Sequence, residues 1–362
     1  MNKRIGSIDG WRIIAAMGVL YAHTWSAFNT PAFKVGGIDV MQILNLWGSG
    51  VHLFFVISGF CFYLVLSKQE TYNFQTAIAF WKKRWLRIAP AFYVACTIFA
   101  LAHYAWFPHN LPYRLFFNFI FLQNHIPNAE IEGIFWSLAV EWHFYLLLPL
   151  IFVQINRIGI LRTVGLLFGI HLFLNLLHYK GIFMPGDAWW YTIFCNIGHF
   201  GWGILMGYFF ATQKKVPFFS NWWSIFAGFV IAYTGKLFFY SGFVARMHSA
   251  GFIFQSIGPL LMTMGFACMI YSCLENNTLS RIWGNRYFAG LGRISYSFYL
   301  WHNFMLEIIF THFGKYMPQN AAGVFLTILL VLVVLIPVSF ISYKLFESFY
   351  FRRQLNLGAR RG

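Results

Sequence analysis

The chain has 362 residues, of which 59% are hydrophobic and only 10% are charged, and its formal charge is +16 at pH 7. Soluble domains carry about 25% charged residues, so the composition excludes a soluble globular protein. The positive charge does not indicate nucleic-acid binding, because the cations cluster at the ends of apolar segments, as the positive-inside rule predicts. We therefore expect a polytopic α-helical membrane protein.

About ten segments are apolar enough to cross a bilayer as helices of about 20 residues. They are predicted near 12–30, 48–67, 88–106, 136–154, 163–179, 190–211, 222–240, 251–273, 294–312 and 322–345. With a cytoplasmic N-terminus, about 20 of the 26 lysines and arginines fall on the cytoplasmic side. We expect one all-α domain over residues 1–362, with both termini cytoplasmic, no cleavable signal peptide and no appended soluble domain.

The first predicted span carries a histidine, His23, about midway along it, and Asp9 and Arg12 precede it at the cytoplasmic edge. Ionisable groups inside spans are costly and are functional candidates. Histidine is the usual general base, since its pKa lies near neutral pH. The alternative is structural: His23 as a core histidine bonded to a neighbouring helix, and Asp9 and Arg12 as a helix cap and an interfacial anchor.

A basic cluster, WKKRWLRIAP, stands where the third apolar segment begins and contains Lys82, Lys83, Arg84 and Arg87. Arg84 and Arg87 are three residues apart, so on a helix their guanidinium groups share a face. Such a pair either anchors lipid headgroups or grips a phosphorylated ligand.

The fourth predicted span contains a carboxylate, Glu141, which is expensive in a membrane unless it is protonated or paired. Ser137, Glu141 and Tyr145 recur every four residues and predict one polar helix face. That face can orient a histidine, hold a cation or form a structural hydrogen-bond network. Ser58 and Gly59 in the second span are small residues, which are typical of close helix packing.

The ninth predicted span begins with LGRISYSFYLWHNF, which includes Tyr299 and His302 three residues apart on one helix face. Its aromatic residues also fit an interfacial belt. The five cysteines match no metal-ligand spacing, so we expect buried free thiols and no metal.

Five blocks occur in order along the chain and together resemble the acyltransferase-3 family of integral membrane sugar O-acyltransferases. They are DGWRIIAAMGVLYAH, LFFVISGF, FWKKRWLRIAP, FWSLAVEWHFYLLLP and LGRISYSFYLWH. The resemblance runs from Ile8 to about His302. It implies a ten-helix protein of the bacterial plasma (inner) membrane that takes an acyl group, often acetyl, from cytoplasmic acyl-CoA and places it on a carbohydrate hydroxyl.

The resemblance also implies roles for individual residues. His23 matches the essential first-span histidine, as catalytic base or transient acyl carrier. Arg84 and Arg87 match the paired arginines thought to hold CoA, with Arg12 and Lys83 beside them. Glu141 or Asp9 is expected to orient or balance the imidazole, and the sequence does not say which. The remaining candidates, which are stabilising, substrate-contacting or packing residues, are Ser58, Tyr145, Tyr299 and His302.

The chain departs from the family pattern at Trp11, at Trp142 and His143, and at Asn303 and Phe304. These departures leave the proposed catalytic set in place and weaken the inference that the acceptor is a common one. Two other functions fit the composition: a transporter or flippase for a lipid-linked sugar, and a non-catalytic membrane scaffold. The expected partners are membrane lipid, acyl-CoA and a carbohydrate acceptor, without nucleic acid.

Overall fold

The computed structural model describes residues 5–68, 73–106, 109–184, 187–214, 222–240, 251–275 and 277–348. Within these ranges the chain is almost entirely helical, and the strands described are a two-residue pair, β1 (Lys34–Val35) and β2 (Ile38–Asp39). The helices are α1 (Gly6–Ala27), α2 (Val40–Leu44), α3 (Gly50–Leu66), α4 (Phe74–Ala102), α5 (Leu111–Phe119), α6 (Trp136–Ile158), α7 (Ile160–Tyr179), α8 (Ile193–Ala211), α9 (Trp223–Tyr240), α10 (Gly251–Glu275), α11 (Asn277–Trp283), α12 (Arg286–Arg293), α13 (Ser295–Phe313) and α14 (Ala321–Ser342).

Each predicted span coincides with one long helix of the described residues, and seven of these helices are long and apolar enough to cross a membrane. The seven are α3 with the turns before it, α4, α6, α7, α8, α10 and α14. The helix α9 is apolar but shorter, and α1 and α13 carry polar groups such as His23 and His302. The all-α membrane fold is thus confirmed. The count of ten spans stays a prediction, and the terminal residues 1–4 and 349–362 lie outside the described ranges.

The third predicted span begins too late, because the basic cluster lies inside α4 and not before it. The helix starts at Phe74 behind a capping box, in which the Asn73 side chain accepts from the Thr76 amide and the Thr76 side chain accepts from the Asn73 amide. The capping box therefore starts the helix before the polar residues of the basic cluster, which hydropathy alone would not include in a membrane span. As a result, Arg84 and Arg87 stand one turn apart on regular helix.

Helix directions follow from the side-chain contacts. Along α3 and α6, Phe55 meets Trp136 with ring centroids 6.0 Å apart, and Phe62 meets Tyr145 at 4.6 Å, so the two helices run parallel. The α1 helix runs the other way, since Arg12 near its start lies 3.4 Å from Cys61 near the end of α3. The term basic end is used below for the end of the bundle at which α1 begins. The helices α3 and α6 start at the opposite end.

The close approach of α3 and α8 depends on glycines. A Cβ atom on Gly59 would overlap the carbonyl oxygen of Phe200. A Cβ atom on Gly203 would likewise overlap the carbonyl oxygen of Val56. Any side chain at either position would push the two backbones apart. The packing interpretation of Gly59 is therefore confirmed, while its neighbour Ser58 points to a different partner.

Candidate active site

A polar cavity of about 90 Å³ lies among α1, α3, α4, α6 and α13. We call it the arginine cavity. Its polar lining consists of Arg12, Ser58, Cys61, Arg84, Arg87, Ser137, Glu141, Tyr145, Ser295, Tyr296 and Tyr299. The residues that the sequence predicted on one face of the fourth span all reach this one cavity, as do both arginines of the basic cluster.

Glu141 is held in the arginine cavity by two hydroxyl groups. Ser58 Oγ donates to Glu141 Oε1 over 2.6 Å, and the Tyr145 hydroxyl donates to the same oxygen from one turn further along α6. Hydrogen bonds to a carboxylate are stronger than neutral ones. The carboxylate thus stands at a defined point among cavity-lining guanidinium groups and offsets part of their charge.

Arg12 reaches the cavity from the first turns of α1. Its Nη1 pairs with Asp9 Oδ1 at 3.0 Å, and its Nη2 lies 3.4 Å from Cys61 Sγ. Asp9 is itself buried. Asp9 precedes His23 by 14 residues on one continuous helix, which is about 21 Å at 1.5 Å per residue. The carboxylate is therefore out of reach of the imidazole, and its partner is the Arg12 guanidinium.

The Arg84 guanidinium lies against two aromatic rings, 4.4 Å from the centroid of Phe62 and 5.4 Å from that of Phe80. Such contacts hold a cation in place by cation–π attraction. Arg87 lines the same cavity one turn later. Lys83, which the sequence grouped with these arginines, is exposed and does not line the cavity.

His23 lines a different cavity, of about 160 Å³, towards the opposite end of the bundle. We call it the His23 cavity, and its lining is Val19, His23, Gly48, Ser49, Val51, His52, Gly133, Ile134, Trp136 and Tyr299. Val51 and Tyr299 line both cavities. The two cavities are therefore neighbours separated by these two side chains. Glu141 lines the arginine cavity and not the His23 cavity.

The His23 ring stands 5.3 Å from the His302 ring, measured between centroids. His302 is fully buried, and its Nδ1 lies 2.5 Å from the carbonyl oxygen of Tyr299. Because a carbonyl only accepts, Nδ1 carries the hydrogen and Nε2 carries a lone pair. This Nε2 is buried and has no hydrogen-bond partner among the described residues. The fold thus places a second imidazole, with one nitrogen available as an acceptor, beside His23.

Tyr299 is fixed at the boundary between the two cavities. Its hydroxyl donates to the carbonyl of Ile134 over 2.9 Å and lies 2.7 Å from Ser137 Oγ. Ser137 and Glu141 are one turn apart on α6. The boundary residue is thus tied to the same helix that carries the carboxylate of the arginine cavity.

Sequence reasoning assigned no role to several other polar groups. His52 lines the His23 cavity. Asn303, noted in the sequence only as a departure, donates from Nδ2 to Glu132 Oε1 over 2.9 Å. Burial raises the pKa of Glu132 above its ordinary value. These residues carry the same signal that identified His23, an ionisable or polar group within or beside an apolar segment.

All five cysteines are free thiols, four of them buried and Cys61 partly buried. Within the described ranges no group of three or more His, Cys, Asp and Glu side chains is arranged to hold a metal ion. The side chains that line the arginine cavity and the His23 cavity offer guanidinium, carboxylate, hydroxyl, thiol and imidazole groups.

Comparisons with known proteins place this geometry in context. A family model described as an acyltransferase domain, acyltransferase-3, matches residues 5–344. A putative acetyltransferase, ORF330, of Acidianus two-tailed virus is 24% identical over 323 residues, which cover 85% of this chain and 84% of that protein. Peptidoglycan O-acetyltransferase OatA of Listeria monocytogenes is 29% identical over 164 residues, 41% of this chain and 24% of its own. Acyltransferase MdmB of Streptomyces mycarofaciens is 27% identical over 168 residues, 44% and 42% of the two chains. No solved structure shows significant similarity.

Proposed function

This chain belongs to the acyltransferase-3 family, and from that membership we propose that it moves a short acyl group from cytoplasmic acyl-CoA to a carbohydrate hydroxyl, with His23 as catalytic base. The observation that carries the proposal is the pair of adjoining cavities, one lined by three arginines and one by His23, which share Val51 and Tyr299. A donor entering from the basic end and an acceptor entering from the opposite end meet at that boundary.

The arginine cavity is the proposed donor site. Acyl-CoA carries several anionic phosphates, and guanidinium groups bind phosphate through paired, charge-assisted hydrogen bonds. Arg84 and Arg87 stand on one face of α4, and Arg12 faces them from α1. Under the positive-inside rule the basic end faces the cytoplasm, where acyl-CoA is made.

The relatives favour a short acyl group. Two of the three relatives described above are named as acetyltransferases, ORF330 as a putative one and OatA as a peptidoglycan O-acetyltransferase. Acetyl is therefore the proposed cargo.

The proposed reaction is a direct transfer. His23 takes the proton of the acceptor hydroxyl as its oxygen attacks the thioester carbonyl. A carbon–oxygen bond forms, the carbon–sulfur bond breaks, and the imidazolium returns the proton to the CoA thiolate. The rings of His302 and His23 stand 5.3 Å apart between centroids. We assign the lone pair of His302 Nε2 the role of orienting the His23 imidazole, either directly or through a water molecule.

Glu141 has a supporting role in this scheme. Its Oε1 is bonded to Ser58 and Tyr145, so it is positioned to balance the arginine charges and not to touch the imidazole. Asp9 fixes Arg12 in the same way through their 3.0 Å ion pair. Both carboxylates are thus proposed as positioning residues of the donor site.

The acceptor class follows from the relatives. OatA is named as a peptidoglycan O-acetyltransferase, and peptidoglycan is a carbohydrate polymer. A transporter of lipid-linked sugars would move such a sugar without consuming acyl-CoA, and the membership in an acyltransferase family favours the transferase.

The test uses purified protein in lipid nanodiscs. Release of the CoA thiol from acetyl-CoA is measured for wild type, for His23→Ala and for His312→Gln, a control histidine that is exposed and lines none of the cavities described above. We expect His23→Ala to lose at least 100-fold in rate, within the range of about 10² to 10⁴ for a general base, and His312→Gln to match wild type. Wild-type rates in His23→Ala would refute the assignment.

In the host, proton NMR of surface glycans reports O-acetyl ester content. A deletion strain complemented with wild type is compared with one complemented with His23→Ala at equal membrane expression. Signals restored only by wild type support the proposed reaction, and the shifted sugar protons identify the acceptor. Equal restoration by both would make His23 structural.

A further inference from the structure

A third cavity, of about 280 Å³, adjoins the His23 cavity and has no role in the donor site described above. We call it the histidine cavity. Its lining is His52, Trp136, His171, Trp190, Tyr191, Cys195, Asn196, His199, Phe239 and Pro259. Two of these residues, His52 and Trp136, also line the His23 cavity. A ligand in the histidine cavity therefore lies next to the proposed catalytic base.

Three imidazoles meet in this cavity. The rings of His52 and His199 stand 4.9 Å apart between centroids, and those of His171 and His199 stand 5.5 Å apart. His171 and His199 are each about 1% exposed. They come from different helices, α7 and α8, so their meeting is a product of the fold.

The hydrogen-bond partners determine which nitrogen of each ring carries the hydrogen. His171 Nε2 lies 3.2 Å from the carbonyl of Ser256, so Nε2 is the donor and Nδ1 carries the lone pair. His199 Nδ1 lies 3.2 Å from Thr263 Oγ1, whose own hydrogen goes to the carbonyl of Pro259. His199 Nδ1 is therefore the donor, and Nε2 carries the lone pair.

The third ring adds a further polar atom. His52 Nδ1 is buried and has no hydrogen-bond partner among the described residues. A buried polar nitrogen without a partner is costly and calls for an explanation. The three rings line the cavity, and imidazole nitrogens exchange hydrogen bonds with hydroxyl groups. A ligand that suits them brings several hydroxyl groups.

The aromatic side of the cavity is held rigidly. Asn124 Nδ2 donates to the carbonyls of Trp136 and Tyr191, over 2.8 and 2.6 Å. Asn196 Nδ2 donates to the carbonyl of Trp190 over 2.9 Å. Two side-chain amides therefore pin the backbone beneath all three aromatic residues. Aromatic side chains on a fixed backbone, together with a few hydrogen-bonding groups, are typical of small-molecule sites.

We propose that the histidine cavity is the acceptor subsite and that it holds one pyranose ring, with its apolar face on the tryptophans and its hydroxyls on the histidines. The inference rests on the proposed function, because it is the neighbouring His23 that removes the proton from the acceptor hydroxyl. At about 280 Å³ the cavity lies near the lower end of the about 300 to 1,000 Å³ range for small-molecule sites. That space suits one ring and not an oligosaccharide.

Binding is tested separately from transfer. Wild-type protein and variants in lipid nanodiscs are mixed with methyl glycosides of glucose, mannose, galactose, rhamnose and N-acetylglucosamine, and saturation-transfer NMR detects bound sugar. Nanodiscs avoid glycoside detergents, whose headgroups would compete. The variants are His199→Gln and Trp190→Phe in the cavity and His23→Ala beside it. The controls are His312→Gln and Trp223→Phe, two exposed residues that line neither this cavity nor the two near the proposed reaction centre.

We expect saturation transfer to at least one glycoside in wild type and in His23→Ala, with at least a tenfold weaker affinity in His199→Gln and in Trp190→Phe. Both controls should bind as wild type does. Equal binding by wild type and both cavity variants overturns the proposal, and so does the lack of binding by every glycoside.

The thermal unfolding midpoint of each variant serves as the fold check, and acetyl-CoA hydrolysis by wild type and His23→Ala in the absence of sugar is the donor-side readout. A lowered midpoint together with lost sugar binding marks a folding defect, in which case the remaining cavity variant decides. If hydrolysis is unaffected by His23→Ala while sugar binding depends on His199, the catalytic proposal fails and the subsite stands.

Discussion

The arginine cavity predicts that CoA affinity depends on Arg84 and Arg87 through the phosphates and not through the acyl group. The perturbations are Arg84→Gln and Arg87→Gln, which remove the charge and keep a polar side chain of intermediate length. Both residues line the cavity from the same face of α4. The matched control is Arg162→Gln, an exposed arginine at the start of α7, outside the cavity.

The magnitude follows from the kind of bond that is lost. A hydrogen bond to a charged group contributes about 1.5 to 3 kcal/mol. Since about 1.4 kcal/mol corresponds to a tenfold change in an equilibrium constant, each variant should raise the KM for acetyl-CoA by about 10- to 150-fold. Arg84→Gln should lie at the upper end, because the cation–π contact with Phe62 at 4.4 Å holds the Arg84 guanidinium in place before CoA binds and so lowers the entropy cost of binding.

The assay compares two donors on the same proteins. Acetyl-CoA carries the phosphates, whereas the acetyl thioester of N-acetylcysteamine carries only the end of the pantetheine arm. We expect both variants to lose activity with acetyl-CoA and to match wild type, within about twofold, with the short thioester. Raising the ionic strength should weaken acetyl-CoA binding by wild type and have a smaller effect on the variants.

Equal losses on both donors would refute the reasoning, because a phosphate contact cannot affect a donor that has no phosphate. In that case the two arginines act on the fold or on the reaction centre. A loss of the same size in Arg162→Gln would show that the general positive potential of this end, and not the cavity, attracts CoA.

Four further predictions concern the carboxylates, the second histidine and the cargo. Glu141→Ala leaves two buried hydroxyl donors without their acceptor and should lower stability by about 2 kcal/mol, measured as a lower thermal unfolding midpoint. His302→Phe should lower kcat at least tenfold with an unchanged KM for acetyl-CoA, whereas a purely structural role would lower the amount of folded protein instead. Palmitoyl-CoA should be a poorer donor than acetyl-CoA by at least 100-fold in kcat/KM, and comparable rates would contradict acetyl as the cargo. Burial raises the pKa of Glu132 in the folded state. The contribution of Glu132 to stability is therefore largest at low pH and is lost as the pH rises from about 4 towards neutrality. Glu132→Gln should reduce this pH dependence of stability, measured as unfolding midpoints over a pH series.

The all-helical membrane fold could be predicted from the sequence because the bilayer imposes a local rule. A span needs about 20 apolar residues whatever its neighbours are, and each of the ten predicted segments coincides with a long helix. The rule fails where local signals outweigh hydropathy, as at α4, whose capping box starts the helix at Phe74, well before the apolar stretch. The helices α1 and α13 were also predicted as spans, but their polar groups keep them outside the seven helices that are long and apolar enough to cross a membrane.

Helical spacing also predicted which residues share a face. Arg84 and Arg87 on α4, and Ser137, Glu141 and Tyr145 on α6, all line the arginine cavity as their three- and four-residue intervals indicate. Periodicity is a property of one helix, so the sequence is sufficient to derive it.

Which faces meet was decided only by the tertiary structure. Ser58 and Glu141 are 83 residues apart, and Ser137 and Tyr299 are 162 apart, yet each pair is within hydrogen-bond distance. The sequence left open whether Glu141 or Asp9 serves His23, and the fold gives both carboxylates other partners. Periodicity describes one helix at a time, whereas the rotation and depth of one helix against another depend on side-chain packing and on glycine contacts such as that of Gly59. The residue types of the candidate site were therefore readable in the sequence, and their division between the arginine cavity and the His23 cavity was not.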